Sequence, residues 1–145
     1  MTSLDSILSS LRAGETSRGL SAAICVEAGY VPGVPGAKSV WNSSFDPWLL
    51  RFSLATEDDW LSDTREVPDL LLDANACMDF ERAMAPEPRF ELAVKRRQDG
   101  GVTARIAEWG NRDVWLGHFT APIELAARVG AVLMARAAAR EGSDG

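Results

Sequence analysis

Apolar residues recur with helical or strand-like periods along most of the chain, and this pattern predicts the order of its elements. The first apolar positions, Leu4, Ile7, Leu8 and Leu11, are spaced three or four residues apart, which is typical of one buried face of a helix. Gly14 follows the last of these turns, and glycine commonly stands just beyond a helix end. We therefore predict a short amphipathic helix at the N-terminus.

The next segments are predicted to be extended. The run from Leu20 to Ala28 is short, contains β-branched residues and is bounded by glycines, so we predict a mostly buried strand there. Two Pro-Gly pairs in residues 31–36 predict successive turns. A short strand is predicted over residues 39–42, and a strand with regular alternation is predicted over residues 48–55.

The middle of the chain allows two interpretations. Pro68 is compatible with the first turn of a helix that runs to about Met84, and Asp69 and Asp73 would then face solvent. Neither residue before Pro68 is of a favoured N-cap type. A strand over residues 67–72 is therefore the alternative. In both cases the element ends before the two prolines of residues 86–88.

The last third of the chain has the clearest pattern. Strands are predicted over residues 89–97, 102–109 and 112–119, and tight turns at Asp99-Gly100 and Gly110-Asn111 connect them. These short connections make the three strands neighbours in an antiparallel meander.

The faces of the meander follow from strand alternation. Val102, Ala104 and Ile106 are predicted to face inward, as are Val114 and Leu116 of the next strand, and His118 shares the face of the latter pair. Trp109 and Trp115 fall on the opposite face, where they belong to the core if a helix covers that side and to an interface if none does.

A helix is predicted to follow the meander, with Pro122 in its first turn and Glu124 near the positive end of its dipole. Gly130 lies in the helix interior, where glycine is unfavourable by about 1 kcal/mol relative to alanine. We expect this glycine to permit close approach to the sheet or to another helix. Glu124 and Arg128 form a favourable pair four residues apart.

These elements predict an α+β protein. An antiparallel sheet that includes the C-terminal three-stranded meander would pack against N-terminal, middle and C-terminal helices. A length of 145 residues is the usual size of one domain, so residues 1–145 are interpreted as a single domain with a frayed tail at 141–145.

The uneven distribution of charge along the chain is its most informative feature for function. Between residues 57 and 81 the chain has nine carboxylates and one basic residue, a net charge of −8, whereas the whole chain has −6. We call residues 57–81 the acidic segment. Neighbouring carboxylates repel one another, so their concentration is rarely explained by folding alone. The segment therefore suggests a surface that recognises something cationic.

Groups for acid–base or nucleophilic chemistry are few. His118 is the single histidine of the chain, and it has no local signature that would pair it with Cys25 or Cys77 as a nucleophile. The cysteines lie in apolar surroundings without the spacing of a disulfide framework or a zinc site. We therefore predict no catalytic residue and no enzyme activity.

Sites for ions and cofactors are also not evident. The closest carboxylates, Asp58, Asp59 and Asp63, lack the alternating spacing and central glycine of a calcium loop. The glycines of residues 31–36 have neither the lysine nor the spacing of a phosphate-binding loop. We expect no metal and no cofactor.

The one basic patch contains Lys95, Arg96, Arg97, Arg105 and Arg112. Strand alternation divides its first three residues between two faces, and the sequence pI is about 4.8. Nucleic-acid binding is therefore disfavoured, and we interpret the patch as a solvated sheet face. No stretch approaches the roughly 20 apolar residues that span a bilayer, and the N-terminus has no basic start, so we expect a cytoplasmic protein without membrane contact.

These features lead to the expectation of a non-enzymatic protein that binds a basic protein partner, as an inhibitor or immunity protein binds a toxin. Carboxylates would steer the partner, and Trp60 would be an apolar anchor. The expected partner-binding residues are Glu57, Asp58, Asp59, Trp60, Asp63, Glu66, Asp69 and Asp73. The protein would be a monomer or a homodimer.

Two alternatives remain open. The predicted order of helix, strands, helix, strands and helix, together with small size and acidity, resembles that of type III secretion chaperones. That resemblance implies a dimer that binds an extended client. A small enzyme or ligand-binding domain that uses His118 and a carboxylate in a pocket is the other alternative.

Overall fold

The structure is a computed structural model that describes residues 3–30, 38–40, 51–55, 60–85, 90–108, 110 and 115–143; for residues 38–40, 51–55 and 60–66 it describes the backbone. The helices are α1 Ser3–Arg12, α2 Arg18–Ala28, α3 Ala74–Met84 and α4 Glu124–Ser143. The strands are β1 Lys38–Val40, β2 Arg51–Ala55, β3 Trp60–Glu66, β4 Phe90–Arg96, β5 Val102–Glu108 and β6 Trp115–Ala121.

The fold is α+β, as the sequence predicts. Strands β1, β2 and β3 form one antiparallel sheet, and β4, β5 and β6 form the C-terminal antiparallel meander. Helix α4 packs on β5 and β6, and it also contacts α1 and α3. The predicted turns of residues 31–36 lie outside the described residues.

The predicted strand over residues 20–28 was wrong, because this segment is helix α2. The Ser17 hydroxyl accepts a hydrogen bond from the backbone N–H of Leu20 at 3.2 Å and caps the helix start. Gly29 adopts a left-handed conformation with a φ of 71° and ends the helix. A short glycine-bounded apolar run fits a strand and a buried helix equally well by periodicity, and here the capping residues favour the helix.

The middle of the chain also differs from the prediction. Helix α3 begins at Ala74 rather than at Pro68, and residues 70–72 form a turn. Strand β3 lies just before this turn, and the sequence pattern did not predict it because Trp60–Glu66 shows no apolar alternation. Its backbone pairs with β2, so the tertiary pairing provides what the local pattern lacks.

The hairpin between β4 and β5 has the predicted turn. The backbone N–H of Arg97 donates to the carbonyl of Gly101 at 2.7 Å, and Gly100 adopts a φ of 91°. The inward face of β5 is also as predicted, because Val102, Ala104 and Ile106 are buried.

Strand β6 presents the opposite face to that predicted. Gly117 and Phe119 lie opposite Ile106 and Ala104 and therefore share the inner face, whereas His118 lies opposite Arg105 and is exposed. A register irregularity at residues 106–107 accounts for the shift, because one extra residue reverses the faces of every position beyond it.

Helix α4 approaches β6 closely because two glycines leave room. A Cβ atom on Gly130 would overlap the ring of Phe119 of β6, so the close approach expected at this glycine is to the sheet. A Cβ on Gly117 would lie 2.7 Å from the carbonyl oxygen of Ala131 and 2.6 Å from the nitrogen of Ala135. Gly117 therefore permits the helix backbone to rest on the strand, and Gly130 makes room for the Phe119 ring.

We predict that Gly117→Ala lowers the free energy of unfolding by about 1–3 kcal/mol, because the new methyl group meets helix backbone that cannot rotate away. Chemical denaturation measured by circular dichroism would test this. Gly19→Ala is the matched control, because Gly19 is exposed within α2 and its added Cβ would come no closer than 3.9 Å to Ser17 Oγ. The control is expected to be neutral or stabilising by about 0.5–1 kcal/mol, and an equal loss in both variants would contradict the argument.

Candidate functional site

The acidic segment is described only in part. Glu57, Asp58 and Asp59 lie outside the described residues. Trp60, Asp63 and Glu66 belong to β3, for which the backbone is described. Among the predicted binding residues, Asp69 and Asp73 therefore have described side chains, and they follow β3 directly on the way to α3.

Asp73 has a structural use. Its carboxylate oxygen Oδ1 accepts hydrogen bonds from the backbone N–H groups of Asn75 at 3.0 Å and Ala76 at 3.4 Å. It is thus the N-cap of α3, a role that typically stabilises a helix by about 1 kcal/mol. The side chain is nevertheless exposed, so its outer oxygen faces solvent and the cap does not remove it from the surface.

Asp69 is half-buried rather than fully solvent-facing. Its Oδ1 atom is buried, and no hydrogen-bond partner for it lies within the described residues. A buried carboxylate oxygen destabilises the folded state unless it accepts a hydrogen bond. Asp69 is therefore a less accessible member of the acidic segment than the sequence suggested.

Glu81 ends the acidic segment and points into the protein. It is 3% exposed, and its two carboxylate oxygens accept hydrogen bonds from Arg128 of α4 at 2.6 Å and 2.9 Å. The hydrogen bond to Glu81 is the main reason why the pKa of Arg128 lies above its usual value. Arg128 also reaches Glu124 at 3.8 Å, which is the predicted pair. Glu81 is consequently neutralised internally and joins α3 to α4.

Two exposed apolar side chains accompany the acidic residues. Leu72 is 64% exposed, more than any other large apolar side chain in the described part of the chain, and Met78 is 37% exposed. Asp73 and Asp79, also exposed, stand next to them in sequence. The exposure of Leu72 does not follow from the sequence pattern, because three consecutive leucines at 70–72 do not show which of them leaves the core.

Apolar side chains that remain in water beside carboxylates are typical of a protein-binding surface, in which an apolar centre has a polar rim. Residues 69–79 thus carry exposed acidic and apolar side chains near one another in sequence. We call Leu72, Asp73, Met78 and Asp79 the exposed acidic–apolar group.

Both cysteines are buried, and their thiols have low reactivity. Burial raises the pKa of the Cys25 thiol to about 12, and burial together with the neighbouring Glu81 raises the pKa of Cys77 well above its usual value. The Cys77 thiol donates to Glu81 Oε1 at 3.4 Å. Thiols with such pKa values contain very little thiolate near neutral pH and are poor nucleophiles.

His118 and Trp115 lie on the outer face of the meander. His118 is exposed opposite Arg105, so it is not in a pocket between sheet and helix. Trp115 is 40% exposed, with the Arg105 guanidinium 5.4 Å from its ring centroid. Trp115 therefore belongs to the surface rather than to the core, whereas Trp109 lies outside the described residues.

Within the described ranges, no cluster of three or more histidine, cysteine, aspartate or glutamate residues could hold a metal ion. None of the described helices combines the length and the apolar character that crossing a membrane requires. Comparisons with protein-family models, with curated proteins and with solved structures found no match. Inference about function therefore depends on the chemistry of the surfaces described above.

We predict that Arg128→Met destabilises the protein by about 3–5 kcal/mol, because it leaves the Glu81 carboxylate buried without its cation. Thermal and urea unfolding of the purified variant would measure the loss. The double variant Glu81→Leu with Arg128→Met is the control, and it is expected to recover most of the stability because no unpaired charge remains. A single variant as stable as the parent would show that the pair contributes nothing to α3–α4 docking.

Proposed function

We propose that this chain is a non-enzymatic protein-binding module, of the inhibitor or immunity type, whose acidic segment holds a basic partner protein. The observation that carries the proposal is the charge of residues 57–81, which contain nine carboxylates and one basic residue. Such a surface attracts a cationic partner over a distance of about a Debye length and raises the rate of encounter.

The exposed acidic–apolar group supports the proposal from the described side chains. Leu72 provides apolar area that water solvates poorly, Asp73 provides charge next to it in sequence, and Asp79 provides exposed charge on α3. In protein interfaces a few well-buried anchors carry most of the affinity, while charged rim residues determine association rate and partner choice. We assign Leu72 the first role and Asp79 the second.

The internal use of Glu81 refines the proposal. Its ion pair with Arg128 removes one of the nine carboxylates from the surface, and the pairing joins two helices. The partner-binding charge is therefore carried by the residues that precede Glu81.

Salt dependence tests the steering role. A partner captured by the tagged chain from its native host would be purified, and association and dissociation rates would be measured by surface plasmon resonance at low and high salt. We expect the association rate to fall steeply as salt rises, and Asp79→Lys to reduce it about three- to tenfold at low salt. Leu72→Ser is expected to act mainly on dissociation and to speed it about tenfold.

Glu108→Lys is the matched control, because Glu108 is exposed at the end of β5 and its replacement changes the net charge by the same amount. It is expected to leave the association rate nearly unchanged. An affinity that is independent of salt, or an equal response to Asp79→Lys and Glu108→Lys, would contradict a directed acidic surface.

A second candidate, a secretion chaperone, is favoured by one observation. The elements that follow α2 run as three strands, a helix, three strands and a helix, an order that resembles type III secretion chaperones. This candidate predicts a stable dimer in static light scattering and an unfolded, extended client. A monomer at micromolar concentration that binds a folded basic protein would eliminate it.

A further inference from the structure

Strand β4 is an open edge of the meander. Within the described residues it pairs with β5 alone, so the hydrogen-bonding groups along its other side have no strand partner in that part of the chain. Ala93, Lys95 and Arg96 are exposed, and Val94 is 36% exposed. Long exposed edges are liabilities that proteins usually cover or block, which makes β4 a ready template for an added strand.

The two faces of this edge have different chemistry. Lys95 lies opposite Thr103 and Ala93 lies opposite Arg105, so these four residues share the outer face. Val94 lies opposite Ala104, and Leu92 lies opposite Ile106, on the face that α4 covers over β5 and β6. The outer face beside the C-terminal half of β4 is therefore basic, with Glu91 on the same face nearer the start of the strand. The inner face is apolar and only half-buried at Leu92.

A broad groove lies over the outer face and the end of β4. Its volume is about 690 Å³, and its lining includes Lys95, Arg97, Arg105 and Trp115. Among the described lining residues Asp99 is the single carboxylate, and it is already 3.4 Å from Arg97 Nε in a salt bridge. The groove is thus cationic in a chain whose net charge is −6, and an anionic partner would be recognised there.

We propose that the β4 edge binds an extended acidic segment of another protein by strand addition. Backbone groups of the segment would continue the meander, because side chains of a strand alternate between the two faces. Its outward side chains would be carboxylates that meet Lys95 and the cationic groove beside it, and its alternate, inward side chains would be apolar and pack beside Leu92 and Val94. The partner is therefore a segment in which acidic and apolar residues alternate.

A peptide fits these observations better than a nucleic acid. Single-stranded nucleic acids also use basic grooves and aromatic platforms, but they do not use an open strand edge or an apolar inner face. The net charge of −6 also opposes a polyanion that extends beyond the groove. This inference does not depend on the proposed function, because it concerns a different surface with the opposite charge.

The experiment uses the full chain and a fluorescently labelled peptide of alternating glutamate and valine, about as long as β4. Fluorescence anisotropy at low salt is expected to show saturable binding of this peptide. The double variant Lys95→Glu with Arg105→Glu is expected to bind the glutamate–valine peptide at least about tenfold more weakly. It is also expected to bind the corresponding lysine–valine peptide more tightly than the parent chain does, which a merely misfolded variant would not do.

Arg82→Glu is the control for charge reversal, because Arg82 is exposed on α3, and it is expected to leave binding unchanged. Hydrogen–deuterium exchange is expected to show slower exchange of β4 amides when the glutamate–valine peptide is bound. Binding without protection of β4 would overturn strand addition. Tighter binding of an oligothymidylate of equal charge, or a homodimer in light scattering with β4 already protected, would also overturn the proposal.

Discussion

The close approach of α4 to β6 is the contact on which the rest of the structure depends. Gly117 of the strand has no side chain to separate it from the helix backbone at Ala131 and Ala135, and Gly130 of the helix leaves room for the ring of Phe119. From this position α4 also holds the other helices. The guanidinium of Arg136 donates to the carbonyl of Met84 at the end of α3 and to that of Ala28 at the end of α2, each at 3.1 Å. Such bonds satisfy carbonyls that a helix end leaves open.

Helix α4 also pairs with one carboxylate of the acidic segment, which distinguishes that carboxylate from those that stay exposed. Arg128 takes Glu81 out of the acidic segment and into an ion pair, where the pair ties α3 to α4. The carboxylates of Asp73 and Asp79 are exposed, and so is Leu72. A separate groove on the meander is cationic, and its lining includes Arg105, Lys95 and Trp115. The chain thus presents an acidic and a basic surface, and its net charge of −6 describes neither of them.

The sequence pattern predicted helices and strands correctly where the spacing of apolar residues fitted a single type of element or where a turn motif was clear. The stripe at residues 4–11 and the Asp99-Gly100 turn gave α1 and the β4–β5 hairpin correctly. The signal failed at residues 18–28, where a buried helix and a buried strand look alike until Ser17 and Gly29 are recognised as caps. It failed again at β3, which has no apolar alternation and depends on pairing with β2. For the candidate site, the charge was visible in sequence, but the exposure of Leu72 was not.

The sequence by itself determined the charge of the acidic segment and the order of most elements, because these depend on composition and local pattern. Only the tertiary structure decided which carboxylate is buried and which way His118 faces. Glu81 and Asp79 are equally acidic in sequence, but Arg128 lies within reach of Glu81 alone among the described carboxylates of α3. His118 faces outward because a register irregularity in the pairing of β5 with β6 reverses the alternation of side chains along β6. Such a shift depends on pairing between strands and not on the local sequence pattern.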